Sequence, residues 1–380
     1  MKVMNLAPAR KAAFAALLAV ERGAWSAEAL AAKSVHLDPR DAGLASDIVF
    51  GVLRRRGQLD AQIRSYSKVP PEQIDPEIWI ALEMAFYQLR FQDRVPAHAV
   101  VNDAVELSRR AANDSAANFV NAVLRQSLRK PVEIPESLST PAWLLERWTN
   151  RYGPEAAHGI AHASLTIPER YIRVGNAEPP AGAETTDVPG CYRMPQGDPK
   201  PFRFQDISAQ AVVPLLHLQP GHTFLDLCAA PGNKTAQAIE TPVRAVAGEF
   251  HLSRARTLAP LRVPVIVLDA RHPLPFSRLF DRILIDAPCS GTGTLARNPE
   301  IKWKLEPEDL PALQERQIAI LRNGLAQLAP DGLLVYSTCS LEREENEDVV
   351  AASGAKVIET MHRIPGRDSG DGFFAAVLSR

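Results

Sequence analysis

The sequence contains little cysteine and no long apolar run. Its four cysteines, Cys191, Cys228, Cys289 and Cys339, are widely spaced among 380 residues, and none forms the Cys-x-x-Cys pair of zinc sites and redox couples. We therefore expect neither a disulfide scaffold nor a bound metal. The most apolar stretch near the start, Phe14 to Val20, is too short to span a bilayer, and no small-residue cleavage site follows it, which predicts a cytoplasmic protein.

An excess of positive charge is also missing. The formal net charge is −1, so the chain as a whole lacks the basic footprint of a nucleic-acid-binding protein, and any such contact must come from local patches. The 46% apolar and 23% charged content is ordinary for a globular protein, and the length allows two or three domains. No coiled-coil seam is visible, so we expect a monomer.

Residues 1–130 show the periodicity of helices almost throughout. One apolar stripe consists of Ile78, Leu82, Ala85, Phe86 and Leu89. Such spacing places all five side chains on one face of a helix. Helix breakers separate the segments at Gly23, Pro39, Gly57, Pro70, Pro71 and Pro96. The pattern predicts an all-α bundle of several short helices.

Basic residues cluster in this region. Arg54-Arg55-Arg56 is expected to close one helix, Arg109-Arg110 another, and Arg125, Arg129 and Lys130 a third. Cations are favoured at helix C-termini by the helix dipole. A face that binds phosphate is the alternative, and the sequence leaves both interpretations open.

The remaining chain has two textures. Residues 131–204 predict a small adaptor subdomain, with helices near Ala142–Asn150 and Pro154–Ala163, a strand at Tyr171–Val174 and a long loop rich in proline and glycine. Residues 205–380 alternate short apolar strands with helices, which predicts an α/β fold with a doubly wound parallel sheet. Ligands of such sheets bind at the carboxyl ends of the strands.

The segment Phe224–Thr235 has the composition of a cofactor loop. A strand ends in small residues, turns at Pro231-Gly232 and enters a helix, so a ligand can approach the backbone closely. It matches neither the dinucleotide glycine pattern nor a phosphate loop. Glu249 and Asp269 follow the next two strands, where carboxylates can accept ribose hydroxyls and an adenine amine.

Two further strand ends carry cysteine. Asp286 and Cys289 follow one strand, and Cys339 ends the next. A lone cysteine after an apolar strand is more often a small buried hydrophobe, and an aspartate there is often a helix cap. Because two thiols and a carboxylate would converge on one cleft, we favour covalent catalysis by cysteine.

These motifs resemble those of a known family. FLDLCAAPGNKT, ILIDAPCSGTGTLARNPEIKW and VYSTCSLEREENE are similar to the motifs of RNA cytosine-5 methyltransferases of the Fmu/Sun and NOL1/NOP2 family. PAHAVVNDAVELSRR and NFVNAVLRQSLRK resemble the NusB-like helical domain that precedes the catalytic domain in the bacterial ribosomal branch. The resemblance covers nearly the whole chain.

The resemblance implies a Rossmann-like domain that transfers a methyl group from S-adenosylmethionine to carbon 5 of a cytosine in RNA, with small-subunit rRNA as substrate. Cys339 would be the nucleophile, Cys289 would assist release of the product, and Asp286 would contact both cofactor and base. The expected cofactor-binding residues are Cys228, Ala229, Ala230, Pro231, Gly232, Asn233, Lys234, Glu249, Asp269 and Asp286.

The sequence departs from the family in three places. Asn233 replaces the second glycine of the cofactor loop; asparagine can still adopt a left-handed backbone, but it adds a side chain near the methionine moiety. Glu249 replaces the usual aspartate, which keeps the carboxylate and lengthens its reach. The stretch Thr241–Ala270 is short, so the second helix of the sheet should be trimmed.

Alternatives remain open. Transfer RNA is a second candidate substrate, a noncatalytic RNA-binding assembly factor is a second class of function, and DNA is the less favoured target. A target base must leave its stack to reach two strand ends in a cleft, so an unpaired cytosine is the natural substrate. Candidates for contact with the RNA backbone are Arg54, Arg55, Arg56, Arg173, Arg203, Arg297 and Lys302.

Overall fold

The computed structural model describes residues 6–380 and divides into two compact units. The helical unit comprises the chain up to Thr166 together with Leu295–Lys304. The α/β unit comprises Ile167–Thr294 and Leu305–Arg380. The segment predicted as an adaptor, 131–204, is thus shared between the two units. The division of the chain by role into domains 1–130, 131–204 and 205–380 stays a prediction.

Helices precede strands along the chain. The first helices are α1 (Pro8–Glu21), α2 (Ser26–Ser34), α3 (Pro39–Tyr66), α4 (Pro76–Phe91), α5 (Ala97–Ala111), α6 (Asp114–Arg129), α7 (Ala142–Tyr152) and α8 (Pro154–Ala163). The elements up to residue 286 are β1 (Tyr171–Arg173), β2 (Glu184–Thr185), β3 (Cys191–Arg193), β4 (Arg203–Phe204), α9 (Ile207–Val212), β5 (Thr223–Asp226), α10 (Asn233–Ala238), β6 (Arg244–Glu249), α11 (Leu252–Ala255), β7 (Val265–Val267) and β8 (Phe280–Asp286). The last are α12 (Ile301–Lys304), α13 (Asp309–Ala326), β9 (Leu328–Thr338), α14 (Glu347–Ser353), β10 (Lys356–Arg363) and β11 (Phe373–Ser379).

The predicted apolar stripe lies in the core of the helical unit. Ile78, Leu82, Ala85 and Phe86 are buried on α4, and Leu89 packs against them at its end. Tyr66 at the end of α3 stacks on Phe86, with ring centres 6.0 Å apart. The helical prediction for this region is confirmed.

Helix α3 corrects two expectations, because it runs without a break through Gly57 and through the arginine cluster. Gly57 does not break this 28-residue helix. A Cβ at Gly57 would lie 2.0 Å from the carbonyl oxygen of Leu138, so glycine is required there by the close approach of another segment. In the sequence, a glycine required by packing cannot be distinguished from a glycine that ends a helix.

The arginines of α3 do not form a phosphate-binding face. Arg54 is buried and donates to the carbonyl oxygen of Ala296 at 2.7 Å. Arg55 pairs with Glu136 at 3.4 Å, and Arg56 pairs with Glu83 at 3.1 Å and with Glu21 at 2.5 Å. All three lie in mid-helix and are engaged within the unit, so both interpretations of this cluster are wrong. Arg109 and Arg110 do lie in the last turn of α5.

Lys302 is also a structural residue rather than an RNA contact. Its side chain is buried, and its ammonium donates to the carbonyl oxygens of Arg54 (2.9 Å) and Ser139 (2.8 Å) and to Ser164 Oγ (3.3 Å). Burial lowers the pKa of Lys302 to about 7. The adjacent Trp303 donates its indole N–H to the carbonyl oxygen of Leu53 at 2.7 Å. These contacts tie the 295–304 segment to the helical unit.

The α/β unit is built on a seven-stranded sheet with the order β10-β11-β9-β8-β5-β6-β7. β5 to β9 pair in parallel, whereas β11 pairs antiparallel with both β9 and β10. The final strand was predicted, but β10 was not. β10 is an edge strand whose side chains are mostly exposed, so it lacks the apolar pattern of a buried strand.

A second, four-stranded sheet has the order β2-β3-β1-β4. It occupies part of the stretch that the sequence predicted as a long loop. The sequence did not reveal these strands because strands of two or three residues leave no periodic pattern. Arg173 on β1 pairs with Glu240 at 2.5 Å and is not free for RNA, whereas Arg203 on β4 is exposed. Within residues 6–380, no helix combines the length and apolarity that a membrane span requires.

Two of the three glycines within α3, Gly57 and Gly43, allow a matched test of the packing at Gly57. Gly57→Ala should destabilise the protein by about 1–3 kcal/mol, since the new methyl group overlaps the Leu138 carbonyl. Gly43→Ala, where a Cβ meets open space, should stabilise it by about 0.5–1 kcal/mol through higher helix propensity. Urea unfolding followed by circular dichroism measures both. Equal effects of the two substitutions would contradict the packing argument.

Candidate active site

The site forms where parallel strands end at one edge of the sheet. β8 and β9 pair in parallel with Asp286 opposite Ser337. Asp286 is the last residue of β8, and β9 ends at Thr338, directly before Cys339. The loops that leave these neighbouring strands therefore begin side by side.

The two cysteines meet at this edge. Sγ of Cys289 lies 3.4 Å from Sγ of Cys339, and both thiols are free and partly buried. The contact with Cys339, followed by burial, raises the pKa of the Cys289 thiol. Cys289 thus favours its protonated form and is suited to donate its S–H toward the sulfur of Cys339.

Glycine brings the loop after Cys289 against the backbone of Cys339. The N–H of Gly293 donates to the carbonyl oxygen of Cys339 at 2.9 Å, and the N–H of Gly372 donates to that of Gly293 at 2.8 Å. A Cβ on Gly293 would lie 2.2 Å from the Gly372 oxygen and 2.8 Å from the Cys339 oxygen. No larger residue fits there, which explains the second glycine of the Ser-Gly-Thr-Gly motif.

Asp286 is held by a cation and a hydroxyl. Lys234 Nζ donates to one carboxylate oxygen at 2.7 Å, and Ser337 Oγ donates to the other at 2.9 Å. The same ammonium lies 4.8 Å from the centre of the Phe373 ring. The assignment of Lys234 to the cofactor stays a prediction, and the structure brings its charge to Asp286.

The cofactor loop turns at Gly232. This residue has φ +101°, and a Cβ there would lie 2.8 Å from Leu258 Cδ2, so both conformation and space require glycine. Asn233 is the first residue of α10 and has no positive φ, so it does not use the left-handed backbone that is open to asparagine. Its amide donates to the carbonyl oxygen of Phe204 at 3.4 Å. Since Gly232 makes the turn, the asparagine is accommodated without strain.

The carboxylates after β6 and β7 differ in their partners. Glu249 is buried and accepts the backbone N–H groups of Ala230 (3.3 Å) and His251 (3.0 Å). Asp269 accepts the guanidinium of Arg271 at 2.6 Å, which lowers its pKa to about 2. Asp269 is therefore ionised near neutral pH. The helix after β6 is trimmed as predicted, because α11 spans four residues.

One cavity of about 380 Å³ joins these groups. Seven of the predicted site residues line it: Cys228, Ala230, Glu249, Asp269, Asp286, Cys289 and Cys339. The other predicted residues are not in its lining: Ala229, Pro231, Gly232, Asn233 and Lys234. Its volume falls in the range of roughly 300–1,000 Å³ that small-molecule sites occupy.

Sequence reasoning missed several lining residues, among them Phe250, His251, Arg254, Arg271 and Arg316. Phe250 directly follows the acid at the end of β6, and that position is the signal by which the sequence could have identified it. Its side chain is 52% exposed in the structure, which is unusual for a large apolar residue. Arg316 lies on α13, where an exposed arginine has no distinguishing pattern.

The lining fits S-adenosylmethionine by its chemistry. Glu249 offers a carboxylate to ribose hydroxyls, and the exposed ring of Phe250 offers an apolar face to adenine. A parallel sheet with an antiparallel last strand, a small-residue loop after β5 and acids after the following strands define the protein as an S-adenosylmethionine-dependent methyltransferase.

The comparisons with known proteins narrow this class. Residues 213–359 match the family described as 16S rRNA methyltransferase RsmB/F, and residues 7–129 match the NusB family. The ribosomal RNA small subunit methyltransferase B of Vibrio cholerae is 32% identical over 429 residues, which cover 100% of this chain and 98% of the relative. The chain therefore belongs to the RsmB/F family of rRNA methyltransferases.

Solved structures agree on the fold. The crystal structure of PH0851 has a TM-score of 0.81 at 22% identity and covers 100% of both chains. NSun6 from Pyrococcus horikoshii, solved with SFG, has a TM-score of 0.57 at 18% identity and covers 63% of this chain and 98% of its own. The helical unit followed by the α/β unit is thus an established arrangement along one chain.

The turn at Gly232 gives a test of the cofactor loop. Gly232→Ala should weaken binding of S-adenosylmethionine about tenfold or more, because the loop must shift away from Leu258 and Leu261. Gly354→Ala is the control, since Gly354 also has a positive φ but meets no atom within 4 Å of an added Cβ. Isothermal titration measures both affinities. The loop assignment is wrong if Gly232→Ala binds the cofactor as tightly as the control.

Proposed function

We propose that this protein transfers a methyl group from S-adenosylmethionine to carbon 5 of a cytosine in 16S rRNA through a covalent adduct of Cys339. The observation that carries the proposal is the convergence of two thiols, 3.4 Å apart, and the Asp286 carboxylate at the edge of one cavity. The name of the Vibrio cholerae relative, a ribosomal RNA small subunit methyltransferase, supports the choice of substrate.

Carbon 5 of cytosine is a poor nucleophile, so the protein must first activate the ring. The thiolate of Cys339 adds to carbon 6, and the electrons of the carbon 5–carbon 6 double bond move into the ring, where the ring nitrogen takes up a proton. Asp286 lies at the strand end beside Cys339 and would deliver a proton to that nitrogen. The adjacent Lys234 ammonium would be the source of the proton. Carbon 5 of the adduct then has the character of an enamine.

S-adenosylmethionine, when bound, supplies an electrophilic methyl group. Glu249, Phe250 and the loop at Cys228 to Ala230 would hold it, with Asp269 toward the adenine end. After methylation, carbon 5 must lose its proton and the sulfur of Cys339 must leave carbon 6. Cys289 is the group in contact with that sulfur, and its thiol would protonate the leaving thiolate. The thiolate then left on Cys289 would accept the carbon 5 proton, and the ring nitrogen would return its proton to the Asp286–Lys234 pair. The role of Cys289 in product release follows from this position.

The substrate must present a base that has left its stack, because the thiols lie within a cleft and not on an open surface. Phosphate contacts would come from exposed cations. Arg316 lines the cavity together with both cysteines, and Arg129 and Lys130 are exposed at the end of α6 in the helical unit. We assign Arg316 to the target nucleotide and the α6 cations to the flanking RNA.

Trapping the adduct tests the covalent mechanism. Cys289→Ala protein, mixed with S-adenosylmethionine and unmodified 16S rRNA, should retain RNA on a denaturing gel because the adduct forms but does not break down. The double variant Cys289→Ala/Cys339→Ala should retain none.

The adduct experiment also separates the alternatives. If no adduct forms and the wild-type protein methylates neither rRNA nor tRNA, the noncatalytic RNA-binding factor becomes the better account. An adduct with tRNA alone would replace the substrate and keep the chemistry. An adduct that persists without Cys339 would overturn the assignment of the nucleophile.

Arg316 provides a test of RNA recognition. Arg316→Ala should raise KM for rRNA about tenfold and leave the Kd of S-adenosylmethionine unchanged, as expected for the loss of one charged hydrogen bond. Arg278→Ala, which removes an exposed arginine of the same unit that does not line the cavity, should change neither value. Steady-state kinetics with labelled cofactor measures KM. A change in cofactor affinity instead would move Arg316 from the RNA to the cofactor.

A further inference from the structure

A buried carboxylate lies behind the two cysteines. Glu345 is fully buried in the short turn Arg343–Glu345, within the VYSTCSLEREENE motif that also contains Cys339. No role was assigned to it from the sequence. A buried charge is costly unless it is fully hydrogen-bonded, so its partners identify what it does.

The partners of Glu345 come from both cysteine loops. The backbone N–H of Ser290, next to Cys289, donates to Oε1 at 2.8 Å, and its hydroxyl donates to Oε2. The hydroxyl of Ser340, next to Cys339, donates to Oε2 at 2.5 Å. The two hydroxyl oxygens lie 3.1 Å apart. One carboxylate therefore connects the residue after each thiol.

A third element completes the set. The side-chain amide of Gln317, buried on α13, donates to Glu345 Oε1 at 2.9 Å and to the carbonyl oxygen of Pro288 at 3.0 Å. Pro288 precedes Cys289, so this loop is held on both sides of its thiol. The carboxylate accepts four hydrogen bonds from neutral donors, which is the full capacity of its two oxygens.

We propose that Glu345 is a positioning residue that ties the Cys289 loop to the Cys339 loop and keeps the two sulfur atoms in contact. The negative charge of Glu345 also contributes, after the contact with Cys339 and burial, to the raised pKa of the Cys289 thiol. Only the catalytic consequence of this tie rests on the proposed function. The tie itself is a property of the protein without substrate.

Three variants separate the tie from the charge. Glu345→Ala removes all four bonds. Glu345→Gln keeps them, because its oxygen can face the two N–H donors while its NH₂ group donates to the two serine hydroxyls, which can rotate to accept. Asp348→Asn is the matched control, since it replaces a carboxylate on the neighbouring helix α14 that pairs with Arg343.

The first readout is independent of RNA. Diamide oxidises two adjacent thiols to a disulfide and takes up their two protons and two electrons, and the geometry of that bond is narrow. Wild type, Glu345→Gln and Asp348→Asn should join Cys289 to Cys339 at similar rates, whereas Glu345→Ala should be about tenfold slower. Peptide mass spectrometry identifies the pair. A wild-type protein that does not form this disulfide, or a Glu345→Ala variant that forms it as fast, would overturn the inference.

The second readout is catalytic. A misplacement of about 1 Å costs on the order of 100-fold in rate, so Glu345→Ala should lower kcat by that factor with the Kd of S-adenosylmethionine unchanged, and Glu345→Gln should restore most of the loss. If Glu345→Ala does not fold, Ser290→Ala/Ser340→Ala removes the hydroxyl ties instead and should lower kcat and disulfide formation together. Loss of cofactor binding in parallel with kcat would mean a general structural role and would contradict positioning. Adduct trapping with Cys289→Ala alone shows separately whether the proposed function holds.

Discussion

The parallel pairing of β8 with β9 is the constraint on which the site depends. Because Asp286 lies opposite Ser337, the two strands end side by side, and the loops that follow begin at the same edge of the sheet. A one-residue change of register would move every side chain of one strand to the other face and separate the two thiols. The pairing of the strands brings the reactive groups together. Their positions are then fixed by the glycine contact at Cys339, the Lys234–Asp286 pair and the Glu345 hydrogen bonds. Strand pairing thus sets the positions of the reactive groups first, and side-chain contacts adjust them second.

Much of this arrangement could be predicted because it is local or regular. Buried parallel strands show as short apolar runs, and their carboxyl ends necessarily meet at one edge, so the convergence of Asp286, Cys289 and Cys339 needed no knowledge of distant contacts. The helical character of the first part of the chain followed from the stripe on α4 for the same reason. Even the shortened helix after β6 was visible, as a count of residues between two strands. Such features depend on neighbours along the sequence.

The errors share the opposite property. Gly57 was taken as a helix break because its partner, Leu138, is 81 positions away and gives no local signal. Arg54 and Lys302 looked like surface cations, yet each donates to a backbone carbonyl on a remote segment. Glu345 was not singled out, because its four donors come from three separate segments. Contacts between distant segments account for these errors, whereas the strands that were missed are exposed or only two or three residues long.

The 295–304 segment has a consequence for how the chain can be dissected. It belongs to the helical unit, although the chain on either side of it belongs to the α/β unit. Deleting everything before Ile167 would leave the ammonium of Lys302 without the carbonyl oxygens of Arg54 and Ser139 that accept its hydrogen bonds. The α/β unit is therefore not continuous in sequence. A gene fragment that begins at Ile167 would encode the 295–304 segment without the helices of its own unit. Domain exchange between relatives should carry this ten-residue segment together with the helices and not with the sheet.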